Sequence, residues 1–70
     1  MTEVVSVIVN GHSREVEAGT VLADLVASLT SQSRGVAAAV NDAVVPRGEW
    51  IALPLREHDR IEVLTAVQGG

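Results

Sequence analysis

Val4-Val5-Ser6-Val7-Ile8-Val9-Asn10-Gly11-His12-Ser13-Arg14-Glu15-Val16-Glu17 is the stretch that decides the fold. Its first six residues are β-branched or small. The Asn10-Gly11 pair behind them is the strongest short-range hairpin signal, because both residues tolerate the positive φ of a type I′ turn. A first strand, Val4 to Val9, therefore turns back into a second, His12 to Glu17.

Working outward, Ala18-Gly19 breaks the second strand. Thr20 is expected to cap a helix, its hydroxyl accepting from the unpaired amides of the first turn, and Asp24 suits the positive end of the helix dipole. Within Val21 to Ser31, Leu22, Leu25, Val26 and Leu29 recur at i, i+3, i+4 and i+7, which sets all four on one apolar stripe. Burying each is worth roughly 1.5–3 kcal/mol before ordering costs, so the helix must lie across a sheet to be stable.

Val36 to Val40 is an apolar run bounded by turn residues, as expected of a strand under the helix. Asn41-Asp42 turns the chain, and Ala43 to Val45 is a short strand stopped by Pro46, which cannot donate to a ladder and belongs at an edge or a strand end. Residues Arg47 to Asp59, with Pro54 among them, read as an irregular crossover. In the last strand, Arg60 to Ala66, one parity carries Ile61, Val63, Thr65 and Val67 toward the helix, and the other carries Arg60, Glu62, Leu64 and Ala66 outward. If Val5, Val7 and Val9 face the core, Ile8 points outward too, so Ile8 and Leu64 are two outward apolar residues on neighbouring strands, a candidate partner surface. The order is ββαβ(β)β: an α+β fold with a mixed sheet of four to five strands and one helix packed across it.

Seventy residues support one hydrophobic core. We divide the chain into a domain, residues 1–66, and a flexible tail, residues 67–70. Apolar residues make up 47% of the chain, with Trp50 as the single aromatic, so the core is expected to be aliphatic and thin. The absence of cysteine removes disulfides, thiolate nucleophiles and Cys-based metal sites. His12 and His58 lie far apart and read as turn residues, and no metal site is expected. A net charge of −4, with five arginines and no lysine, disfavours nucleic acid and favours a partner with a basic groove. The N-terminus has an acid where a secretory leader carries positive charge, and its apolar run is too short to span a bilayer, so a cytoplasmic protein without membrane contact is expected.

No Ser-His-Asp set, glycine-rich phosphate loop or clustered carboxylates appear on one face. Pairs such as Glu15 with Glu17, or Glu57 with Asp59, read as solvated strand and turn positions. The informative feature is the end, Val67-Gln68-Gly69-Gly70. Two terminal glycines occur by chance in roughly 0.5% of chains. Without β-carbons they pass a narrow channel and adopt backbone angles closed to other residues. The Gly70 carboxyl is ionised at neutral pH and a poor electrophile, so it must be activated before substitution, for example as an acyl-adenylate. From Thr65 to Gly70 the chain reaches at most about 20 Å, enough to enter an active site while the body stays outside. The plain alternative is a frayed end without function.

The segment Ala39-Val-Asn-Asp-Ala-Val-Val-Pro-Arg-Gly-Glu-Trp50, followed by Leu55-Arg-Glu-His-Asp-Arg-Ile-Glu-Val63 and Gly69-Gly70, resembles the ThiS family, the sulfur carriers of thiamine biosynthesis. The likeness runs from Val5 to the end. It implies a ubiquitin-like β-grasp whose C-terminal glycine, here Gly70, is adenylated by an E1-like enzyme of the ThiF type. Sulfur from a cysteine desulfurase route then makes a thiocarboxylate, which donates its sulfur to thiazole synthase of the ThiG type. On this resemblance the protein is a carrier and not an enzyme, binds no cofactor, and leaves ATP and the sulfur donor to the activating enzyme. Val67, Gln68 and Gly69 form the recognised tail. His58 departs from the family, which more often has Gly there, and a slightly altered turn is expected. Trp50 reads as a packing residue, and Arg47 as a surface charge or a partner contact.

Three alternatives stay open. A small subunit of molybdopterin synthase shares fold and terminus but usually lacks the Pro-Arg-x-x-Trp string. A non-covalent β-grasp interaction module would act through Ile8 and Leu64. A ubiquitin-like modifier shares the activation chemistry up to the adenylate.

Overall fold

The structure is a computed structural model and describes residues 3–32 and 34–65. In chain order its elements are β1 (Val4–Val9), β2 (His12–Glu17), α1 (Leu22–Leu29), β3 (Val36–Val40), β4 (Ala43–Val45), a 3-10 helix (Arg47–Ala52) and β5 (Arg60–Thr65). The five strands form one sheet in the order β2-β1-β5-β3-β4. β1 and β5 run parallel, while β1 with β2, β3 with β4 and β3 with β5 run antiparallel. The last strand thus sits at the centre, and β4, stopped by Pro46, sits at an edge.

The strand periodicity does its work on one face. Val7 and Val9 of β1, Ala38 of β3, and Ile61 and Val63 of β5 bury against Leu22, Leu25 and Val26 of α1. Val5 and Val16, opposite each other across the hairpin, pack partly against this core. Leu22, Ile61 and Val7 are the largest fully buried side chains. Trp50 completes the core at 5% exposure, its indole N–H donating to the Val45 carbonyl at 2.8 Å. It is the packing residue the sequence indicated.

Four expectations need correction. Thr20 does not cap the helix. The N-cap is Val21, and α1 has no side-chain cap among the described residues. The crossover supplies the missing partners: Val21 bridges Pro54, the Leu22 amide donates to the Leu53 carbonyl at 2.8 Å, and the Leu55 amide donates to the Thr20 carbonyl at 2.8 Å. A passing backbone satisfies the helix start as well as a hydroxyl would. Second, α1 is shorter than Val21 to Ser31, ending at Leu29 with Thr30 as C-cap. Third, Leu29 is 39% exposed, because it is the last helical residue and projects past the core. Fourth, the segment read as irregular holds the 3-10 helix, which swings Trp50 inward. That helix carries no period long enough to read from sequence.

No described helix is long and apolar enough to cross a membrane.

Candidate functional site

The site grows from a mismatch of strand lengths. β1 pairs with β5 only through Ile8 opposite Arg60 and Val9 opposite Ile61, then turns away at Asn10-Gly11. β5 continues to Thr65, held on its other edge by β3 as far as Val36 opposite Thr65. Asn10 fills the edge that β1 vacates. Its backbone amide donates to the Ile61 carbonyl at 2.9 Å, its Oδ1 accepts from the Val63 amide at 2.9 Å, and its Nδ2 donates to the Val63 carbonyl at 3.3 Å.

Asn41 does the same at the start of β5. Its Oδ1 accepts from the Arg60 amide at 3.0 Å, its backbone amide donates to the Arg60 carbonyl at 2.7 Å, and its Nδ2 donates to Asp59 at 3.0 Å. The other Asp59 oxygen accepts from the Arg56 amide at 2.8 Å, and Glu57 accepts from the Ser6 amide at 2.8 Å. The acids read as merely solvated therefore hold the loop that enters the central strand. Sequence reasoning took Asn10 and Asn41 as turn formers alone. A turn signal says nothing of where the carboxamide reaches.

Thr65 is the last described residue, and the chain runs on from it toward Gly70. Val67, Gln68, Gly69 and Gly70, the residues expected to carry the chemistry, lie outside the described residues, as does Ala66.

The open face of the sheet divides in two. Leu64 lies opposite Ala37, and Val44 lies opposite Ala39, so these four share an apolar area with Glu62 beside it. Val44 and Leu64 are 78% and 68% exposed. Toward β2 the face turns acidic, with exposed Glu15 opposite Ser6 and exposed Glu17 opposite Val4. Ile8 is outward but half-buried, and it neighbours Ser13 and Arg60 rather than Leu64. Arg60 is itself engaged with Asp42 at 2.9 Å.

Arg47 belongs to a different surface. Its guanidinium stacks over the Trp50 ring, 5.2 Å from the centroid, beside a groove of about 420 Å³ between α1 and the 3-10 helix. The structure therefore does not bring Arg47 together with Leu64, and it separates Ile8 from both. Among the described residues no three His, Cys, Asp or Glu side chains gather as a metal site. What the described body offers is an anchored central strand that leads to the terminus and an apolar face beside it.

The family model described as the ThiS family matches residues 7–70, all but the first six residues. This chain belongs to the ThiS family. Its fold is the ubiquitin-like β-grasp: the chain superposes on the crystal structure of the thiamine biosynthesis protein ThiS from Geobacter metallireducens with a TM-score of 0.76 and 25% identity, covering 93% of this chain and 99% of that one. The chain is also similar to the sulfur carrier protein ThiS of Escherichia coli, 27% identical over 64 residues, covering 91% of this chain and 97% of the relative. A higher identity, 43% over 61 residues, is found with a thiazole synthase of Magnetococcus marinus. That match takes in 87% of this chain but only 19% of the enzyme. The ThiS likeness seen in the Val-Pro-Arg-x-x-Trp string and the Gly-Gly end is thus a whole-domain likeness.

Proposed function

We propose that this chain is a sulfur carrier for thiazole formation in thiamine biosynthesis, with Gly70 as the residue modified. The observation that supports this most is a family match that continues from the β-grasp body through Gly69-Gly70. The near-complete coverage of a ThiS sulfur carrier supports it further.

The chemistry follows from the carboxyl group. A Gly70 carboxylate oxygen attacks the α-phosphorus of ATP, forming a C–O–P anhydride as the bond to pyrophosphate breaks. A hydrosulfide equivalent then attacks the acyl carbon, and AMP leaves with the electron pair of the C–O bond. The product is a thiocarboxylate whose sulfur is nucleophilic. An E1-like enzyme supplies the nucleotide site and the metal ion that stabilises the phosphate charge, and a cysteine desulfurase route supplies the sulfur. The carrier itself is a co-substrate and catalyses neither step.

The acceptor is thiazole synthase, a partner supported by the similarity to part of one such enzyme. The apolar area of Ala37, Ala39, Val44 and Leu64 gives the body a surface by which to dock, next to the strand that leads to the terminus.

Intact-mass measurement after incubation with ATP, the activating enzyme and sulfide tests the proposal. We expect an oxygen-to-sulfur increase in the full chain and none in a folded variant lacking Gly69 and Gly70. A full chain whose mass does not change overturns the sulfur-carrier reading. A truncated variant that still supports thiazole synthesis points instead to a non-covalent module.

A further inference from the structure

We propose that Asn10 is a positioning residue for the acyl terminus, acting through the paired hydrogen bonds of its carboxamide to Val63. Along the β1 edge of β5, the carbonyls of Asp59 and Ile61 accept from the amides of Ile8 and Asn10, each at 2.9 Å. The next donor and acceptor on that edge belong to Val63, where β1 has already left for the turn. A carboxamide carries one carbonyl and an N–H in a plane, as a peptide group does. By accepting from the Val63 amide and donating to the Val63 carbonyl, Asn10 extends the β1 edge by one ladder step.

The turn alone does not demand this side chain. Asn10 has φ of 50°, a value that Gly and Asp also tolerate. Val63 itself packs in the core beneath α1, but among the described residues the helix does not cover Thr65 beyond it, where a groove of about 220 Å³ is lined by Asn10, Leu29, Thr30, Val63 and Thr65. On the β1 side, the Asn10 bond pair is what holds β5 two residues short of Thr65. From Thr65 the chain can reach at most about 20 Å to Gly70, so a strand end that loosens shifts the point from which the reacting atom is presented. Such misplacement lowers the rate of a positioned reaction while leaving docking of the body intact.

The functional half of this inference rests on the sulfur-carrier reading; the structural half does not. Two variants test it. Asn10→Gly keeps the turn and removes both side-chain bonds. Asn10→Asp keeps the acceptor for the Val63 amide but sets a carboxylate oxygen against the Val63 carbonyl. Amide hydrogen exchange at Val63, relaxation order parameters of Leu64 and Thr65, and pyrophosphate exchange by the activating enzyme with carrier concentration varied are measured on each.

We expect the Val63 amide of Asn10→Gly to exchange on the order of tenfold faster. The order parameters at Leu64 and Thr65 should fall, and kcat should drop on the order of tenfold with little change in KM for the carrier. Asn10→Asp should lie between the two. Unchanged exchange and order parameters overturn the proposal, as does loosening at Val63 to Thr65 with wild-type kcat, which would make Asn10 merely structural. If Asn10→Gly does not fold, Asn10→Asp is judged by the same criteria. A wild-type chain that is never activated sinks the sulfur-carrier reading and the functional half here, while the exchange data still judge the clamp.

Discussion

Asn10, Asn41, Asp42 and His58 hold φ of 50°, 52°, 71° and 69°. For an L-residue this region brings Cβ close to the following carbonyl at a cost of roughly 1–2 kcal/mol, which Asn and Asp offset by local hydrogen bonds. Three of the four are Asn or Asp in hairpin turns, and these were visible in the sequence as Asn-Gly and Asn-Asp. His58 is different. It is not a residue that favours positive φ, and its amide donates to the Ser6 carbonyl at 2.6 Å, which ties the turn to β1. We expect His58→Gly to fold with stability equal to wild type or up to about 1 kcal/mol higher, since relieved strain is partly offset by glycine's greater freedom when unfolded. His58→Val should lose roughly 1–2 kcal/mol. Urea midpoints for the two variants check the order, and a His58→Val protein as stable as His58→Gly would contradict it.

At the scale of the element, the start of α1 shows why a cap signal misleads. Thr20 lies in the right place in sequence, but the crossover returns along Leu53 to Leu55 and pairs with Thr20 to Leu22 instead. Thr20→Ala should therefore cost less than the ~1 kcal/mol of a lost cap, as measured by denaturant unfolding; a loss above that would restore the hydroxyl to a capping role. The 3-10 helix makes the opposite case, because Trp50 both fills the core and bonds Val45. Trp50→Phe keeps most of the filling and should cost about 1 kcal/mol for the lost bond, whereas Trp50→Ala should cost roughly 3–5 kcal/mol. Against a total of about 4–10 kcal/mol for a chain of this length, the second change approaches global unfolding. Circular dichroism of the variants during urea titration separates the two.

For the molecule as a whole, the sheet has one face committed to stability and one left open. Ala37, Ala39, Val44 and Leu64 add nothing to the buried core beyond their backbone places, and the large ones among them stand mostly in solvent. Val44→Asp combined with Leu64→Asp should leave the urea midpoint nearly unchanged, since exposed substitutions usually fall within about 0.5 kcal/mol each. The pair should lower kcat/KM for activation on the order of tenfold or more, through KM, because apolar anchors dominate docking. Wild-type kinetics in that variant would remove this face from partner binding. With a net charge of −4, association with a partner that presents a basic groove should slow as ionic strength rises, and an association rate independent of salt would speak against such a partner.

The sequence by itself determined the order of the strands and α1, the core parity of β1 and of Ile61 and Val63 in β5, though not of Thr65, which is exposed, the hairpin turns and the family likeness of the Gly-Gly end. Each of these is written in local spacing, in residues that tolerate a positive φ, or in a contiguous string. Only the tertiary structure decided that the crossover caps α1, that Arg47 and Leu64 belong to separate surfaces, and that Asn41 and Asn10 bond the central strand at Arg60 and at Val63. Those contacts join residues as much as 53 positions apart. They depend on which strands become neighbours, and no local pattern along the chain encodes that.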